Sequence, residues 1–347
     1  MTVVGMHEDA AAAGSARAHD TSAETVADGS TASATSRTGT PLADPATSAA
    51  APCAADDTAP TVTRRHTVLG DLRDIVRDLA QSRDLLQQLT LRDIRIRYKQ
   101  AAFGFAWALL MPMVIVLAGL AIRAAIAYAA GVQLNTHQIG AMAVKAVPWA
   151  FFVGCINMGT PSLIANIQLV TKIYFPREVL PLAAVLAQSF DSSIGALLVT
   201  CILPLFGIGV SLQLLWVPAL LVCLWTLAVA CVLFLSCANL FFRDVKYLVQ
   251  VFLTFGIFLT PVLMDASMFG PKGASIIMLN PVAPVLEGLR LAIIEHHNLL
   301  RPYTTPFGGF VVWRPWYLAY SFGWAFAGLL GSAILFHRSE RRFAEII

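Results

Sequence analysis

Residues 214–240 read LLWVPALLVCLWTLAVACVLFLSCANL, without one Asp, Glu, Lys, Arg or His. About 20 mostly apolar residues in a helix cross the hydrocarbon core of a bilayer. This run therefore predicts a membrane span. Five other runs read the same way, at approximately 103–122, 146–166, 179–206, 248–264 and 316–336, and 248–264 is the shortest. Internal prolines occur in most of them (Pro112, Pro148, Pro161, Pro181, Pro204, Pro218, Pro261). In a lipid-embedded bundle neighbouring groups satisfy the freed backbone, so such kinks are tolerated. The expectation is an all-α membrane protein with six transmembrane helices.

Composition agrees. The 347 residues are 57% hydrophobic and 13% charged, with mean hydropathy +0.68. Soluble globular chains carry roughly 25% charged residues, so this chain cannot coat a soluble surface. Six Cys in so long a chain, five of them inside apolar runs, exclude a secreted disulfide scaffold. Residues 1–63 differ from the rest, with 18 Ala, 11 Thr and 6 Ser, and 8 acidic against 2 basic residues. They have no aromatic residue and no apolar period, so a disordered cytoplasmic tail is expected. They lack the basic start and apolar stretch of a signal peptide. Residues 64–347 carry 22 basic and 13 acidic side chains. Within them, 64–100 form an interface region and 101–347 a membrane domain.

Lys and Arg counts orient the spans. Nine lie in 64–99, then Lys172 with Arg177, Arg243 with Lys246, and Arg338, Arg341 and Arg342 in the tail, 16 in all. The alternate connections hold 5: Lys145, and Lys272, Arg290, Arg301 and Arg314 in the long 265–315 segment. Both termini are expected in the cytoplasm. Before the first span, Leu72, Ile75, Val76 and Leu79 recur at helical spacing among charged residues. They predict an amphipathic helix at the membrane interface, broken near 81–84.

The run LRDIRIRYKQAAFGFAWALL at 91–110 resembles the entry to the first span of type-2 ABC exporter permeases of the polysaccharide, O-antigen and teichoic-acid group. The matching residues are Arg92, Asp93, Arg97, Tyr98, Lys99, Gly104 and Trp107; Ala101 departs from the group's small hydroxyl residue. VPWAFF at 147–152, LVTKIYFPREVLP at 169–181, FFRDVKYLVQ at 241–250, LNPVAPVLEGLR at 279–290 and the tail at 336–347 agree in order and spacing. The resemblance covers about 85–347. It implies a permease subunit that moves a lipid-linked polysaccharide or related envelope polymer, as two copies with two ATPase subunits. It also implies that Arg92, Asp93, Arg97, Lys172, Tyr174, Phe175, Pro176, Arg177 and Glu178 couple to those ATPases. The 265–315 segment, with short apolar stretches 275–279 and 285–294, would form re-entrant helices and an outward gate. There Glu287 and Arg290, at i,i+3, can pair.

No G-x-x-x-x-G-K-[ST] run occurs in the chain, so a P-loop cradle for ATP is not expected. ATP and Mg would be used by the partner, with no cofactor or metal held by this chain and no nucleic acid bound. Asp191 lies inside a predicted span and is either a substrate contact or an interhelical partner for Gln188, Ser192 or another span. Arg123 is expected to snorkel toward headgroups, with phosphate contact as the sharper alternative. Trp107, Trp149, Phe151 and Phe152 read as an interfacial aromatic belt or, alternatively, as stacking faces for sugars along a conduit. Glu295-His296-His297 has too few neighbouring ligands in the sequence for a metal site, His337 being on the opposite side.

Other functions fit less well. A glycosyl or acyl transferase needs an acid–base constellation, and Asp93, Glu178 and Asp244 each sit beside Arg or Lys. A secondary transporter predicts internal repeats, and the halves of 64–347 show no self-similarity. A permease for a lipid or small molecule is the nearest alternative.

Overall fold

The computed structural model describes residues 68–99, 106–131, 136–172, 175–305 and 309–346. The predicted tail at 1–63, Ala101, Gly104 and Tyr174 lie outside them, as does the side chain of Trp107. The described chain is mostly helical: α1 (Val68–Gln81), α2 (Arg83–Lys99), α3 (Ala106–Ala130), α4 (Thr136–Gly159), α5 (Ser162–Ala165), α6 (Ile167–Lys172), α7 (Val179–Ile202), α8 (Trp216–Phe241), α9 (Val245–Gly256), α10 (Gly270–Ile277), α11 (Val282–Ile293) and α12 (Trp316–Ile346). A short antiparallel hairpin, β1 (Tyr303–Thr304) and β2 (Val311–Trp313), separates α11 from α12.

Five helices are long and apolar enough to cross a bilayer, over Leu109–Ala129, His137–Gly159, Val179–Leu205, Leu212–Phe241 and Trp316–Glu340. The run at 248–264 is different. Helix α9 stops at Gly256 after 12 residues and the chain turns through 257–264. Twelve residues rise about 18 Å, short of a hydrocarbon core of about 30 Å. The break has a local cause. Pro261 donates no backbone hydrogen bond and disfavours helix at Thr260. Thr260 instead turns its hydroxyl back to the carbonyls of Gly256 and Ile257.

The second span is also shifted. It begins near Thr136 and ends at Gly159, not at 166. Lys145, read from the sequence as a loop residue, lies inside α4 and is fully buried. The chain beyond Gly159 breaks at Pro161 into the short α5 and α6.

Helix α8 forms the centre. Leu224 and Ala228 are fully buried, and Val229 and Val232 nearly so. Helices α4, α7, α11 and α12 pack around it. A Cβ on Gly159 of α4 would stand 2.3 Å from Val232 Cγ1, so glycine sets the α4–α8 approach. Helix α11 is buried on every side from Val282 to Ala292. Behind it Trp313 of β2 is fully buried and donates its Nε1–H to the Leu299 carbonyl at 2.9 Å. At the N-terminal end the predicted amphipathic stretch is two helices split at Ser82, α1 against α12 and α2 against α7. Ile75 and Leu79 face the core while Arg73 and Arg77 are exposed.

Candidate functional site

Asp191 sits on α7, 4% exposed in an apolar setting where an unpaired carboxylate is costly. Its partners come from α2. Arg97 forms an ion pair with Asp191, and Tyr98 donates its hydroxyl to Asp191 Oδ1 at 2.5 Å. Arg97 also donates to Gln188 Oε1 at 3.2 Å. Gln188 and Asp191, at i,i+3, share one face of α7. Room for Gln188 is made by Gly154 of α4, where a Cβ would stand 2.5 Å from the Gln188 amide carbon. Burial raises the Tyr98 hydroxyl above its usual range and Arg97 lowers it only in part, which keeps Tyr98 a donor near neutral pH.

This polar group lines one wall of a cavity of about 480 Å³ between α3, α4, α7 and α9. Trp149, Asn157 and Gln250 line it as well, with Met111, Ile115, Leu253 and Ile257 supplying apolar wall. The cavity is therefore amphipathic: an arginine–aspartate pair, amides and an indole face the same space.

Not every aromatic candidate reaches it. Phe151 lines a second, largely apolar cavity of about 280 Å³ between α4, α7, α8 and α11. Phe152 stacks on Trp149, centroids 6.1 Å apart. Trp149, Phe151 and Phe152 are all buried, so they do not form the interfacial belt that their place near a predicted span end suggested. The cause is that α4 is enclosed by α3, α7, α8 and α11.

The candidate coupling residues divide by location. Arg92 donates to Asp93 Oδ1 and to Asn166 Oδ1, both at 2.9 Å, tying α2 to the turn after α5. Arg97 is turned inward to Asp191. Lys172, at the end of α6, is exposed. Phe175 is buried in the core and Pro176 starts the turn into α7, the break that Phe175-Pro176 predicts. Arg177 donates to the Glu340 carbonyl at 3.1 Å, and Glu178 Oε1 lies 3.5 Å from His337 Nδ1. The end of this loop is thereby held against α12.

A further charged cluster joins α3, α4 and α11. Asp265 receives Arg123 at 2.6 Å and Lys145 at 2.6 Å, with Arg290 3.8 Å away. Arg290 donates to Glu287 at 2.7 and 2.9 Å and to Glu295 at 2.9 Å. The expected Glu287–Arg290 pair is present, fully buried on the glutamate side. Arg123 does not snorkel: it is 5% exposed and committed to Asp265. Burial alone would raise the Asp265 pKa, but Lys145, Arg290 and Arg123 together hold it well below the usual carboxylate range. Burial likewise works against the Arg290 charge, and Glu287 and Asp265 more than offset it, raising its pKa. Neither Asp265 nor Lys145 stood out in the sequence. Asp265 borders an apolar run and Lys145 is the only basic residue of its connection, so each looks like an ordinary loop charge.

The fold and these buried polar groups define a polytopic helical membrane protein with an amphipathic internal cavity. No family model matches the chain. It is similar to an O-antigen export system permease protein RfbA of Klebsiella pneumoniae, 26% identical over 271 residues, covering 76% of this chain and 95% of that protein. A second Klebsiella pneumoniae protein of that name is 27% identical over 60% of this chain and 79% of its own length. The protein of that name from Myxococcus xanthus is 26% identical over 64% and 85%. These relatives bear out the resemblance to export permeases read from the sequence.

Proposed function

We propose that this chain is the membrane subunit of an ATP-driven exporter that carries a lipid-linked polysaccharide, of the O-antigen kind, across the bacterial cytoplasmic membrane. The observation that carries the reading is the similarity to O-antigen export permeases along 95% of the length of one of them. The amphipathic cavity supports it, since sugars offer C–H faces to an indole and hydroxyls to amides and charged groups. Trp149 and Asp191 are the residues assigned to that path.

In this reading two copies assemble with two ATPase subunits, which bind ATP and Mg. Exposed apolar faces of α3 (Met111, Met113, Val114, Leu117) and α9 (Leu248, Val251, Phe252, Phe255) suit contact with a second copy or with lipid. The sixth crossing is made by α9 together with the turns that follow it, which places both termini in the cytoplasm. Arg92 and Asp93 on α2, Lys172 at the end of α6, and Arg177 and Glu178 before α7 receive the ATPase motion. The Asp265 cluster, with Glu287 and Arg290, holds the outward gate.

The test is to purify the tagged chain in mild detergent, identify co-purifying subunits, and assay ATP hydrolysis with and without undecaprenyl-pyrophosphate-linked glycan. A stoichiometric ATPase whose turnover changes with that glycan is the expected result. A lone chain without nucleotide dependence would remove the reading.

A further inference from the structure

Glu178, His337 and Glu340 stand together where the turn into α7 meets α12. One ligand atom from each lies within 4.8 Å of the other two. His337 and Glu340, at i,i+3, share a face of α12. Glu178 is 6% exposed, and its Oε1, aimed at the cluster, has no hydrogen-bond partner. It lies 3.5 Å from His337 Nδ1 without forming a hydrogen bond. The adjacent cation, Arg177, spends one N–H on the Glu340 backbone carbonyl and its Nε stays 3.9 Å from Glu340 Oε1. Two carboxylates and an imidazole thus converge beside one arginine, which pairs with Glu340, and the buried Glu178 oxygen lacks a hydrogen-bond donor. Such an atom costs free energy unless something positive meets it.

We propose that Glu178, His337 and Glu340 bind a divalent transition-metal ion of the zinc class. One imidazole and two carboxylates suit such an ion, and a tetrahedral site with bonds of about 2.1 Å sets its donor atoms about 3.4 Å apart. The Glu178–His337 separation already has that value, and Glu340 needs a modest side-chain rotation. A water completes the fourth position. The bound ion pins the turn after Pro176 to α12, so metal occupancy sets how freely that turn moves. The proposal stands apart from the export reading, because binding is measured on the purified chain without transport.

The experiment uses the full chain in detergent, stripped with a chelator and titrated with Zn²⁺ alone. One equivalent bound by elemental analysis is expected, with a tetrahedral visible spectrum when Co²⁺ replaces it. Glu178→Gln, His337→Asn and Glu340→Gln should each weaken Zn²⁺ binding by at least about tenfold, as even loss of a supporting neighbour does in metal sites. Gel filtration and circular dichroism verify that the variants fold. Zn²⁺ should raise the apparent melting temperature of the wild type and not of His337→Asn. Absence of stoichiometric Zn²⁺ overturns the proposal, and so does binding that survives His337→Asn and vanishes with His296→Ala/His297→Ala.

Discussion

Asp265 accepts two cations from two different helices, and no other described acid touches Lys145. Asp265→Asn leaves Lys145 and Arg123 buried without their counter-charge. Breaking a buried pair from one side costs about 3–5 kcal/mol, so the variant should melt well below wild type in detergent. Adding Lys145→Met should recover part of the loss, a coupling that a double-mutant cycle measures. The pH dependence follows from the depressed Asp265 pKa. A lowered folded-state value contributes stability that is present above the unfolded value, about 3.9, and is lost as pH falls toward the folded one. The wild-type advantage over Asp265→Asn should therefore stay constant from about pH 8 to 5 and shrink only below about pH 4. Asp191 is likewise a buried carboxylate paired with an arginine, beside the cavity. Asp191→Asn frees Arg97 and should reduce polymer export, read as surface glycan, more than it reduces the amount of folded protein. Export recovered in full by Asp191→Asn would show that the pair has a structural role alone.

At the scale of elements, the α4–α8 contact depends on one missing side chain. Gly159→Ala would drive a Cβ into Val232. Overpacking of this kind costs typically about 1–3 kcal/mol, and Val232→Ala should relieve it; thermal unfolding of the single and double variants checks both. Element limits were only partly legible in the sequence. The split at Ser82 and the break at Phe175-Pro176 follow from local residue chemistry and are present. The start of α4 was hidden because Lys145 reads as a loop charge, while Asp265, 120 residues away, allows it inside a helix. The aromatic ring positions failed for a similar reason: nearness to a span end says nothing about which helices enclose α4.

For the whole molecule, the number of crossings sets the sidedness. Five crossings would place the termini on opposite faces; six place them together. With α9 and its following turns as the sixth, reporter fusions within 242–246 and after 340 should report the cytoplasm, and fusions within 297–302 the outside. Fusions at 297–302 reporting the cytoplasm would mean that α9 folds back without crossing. The charge asymmetry of 16 against 5 favours the six-crossing arrangement, although Lys145 and Arg290, which enter the smaller number, are buried.

Hydrophobic runs and the scarcity of charge were enough to establish a multi-pass helical membrane protein, because bilayer thickness imposes a length that any sequence must show. The motifs at 91–110 and 169–181 were enough to point to export permeases. Which charges neutralise one another was settled by packing alone. Arg97 with Asp191, and Lys145 and Arg123 with Asp265, are separated by 94 to 142 positions. A carboxylate in the sequence carries no mark of its partner. Only the meeting of α2 with α7, and of α3 and α4 with the chain at Asp265, determines which charge it faces, and in a low-dielectric interior that contact decides whether the charge can stay buried.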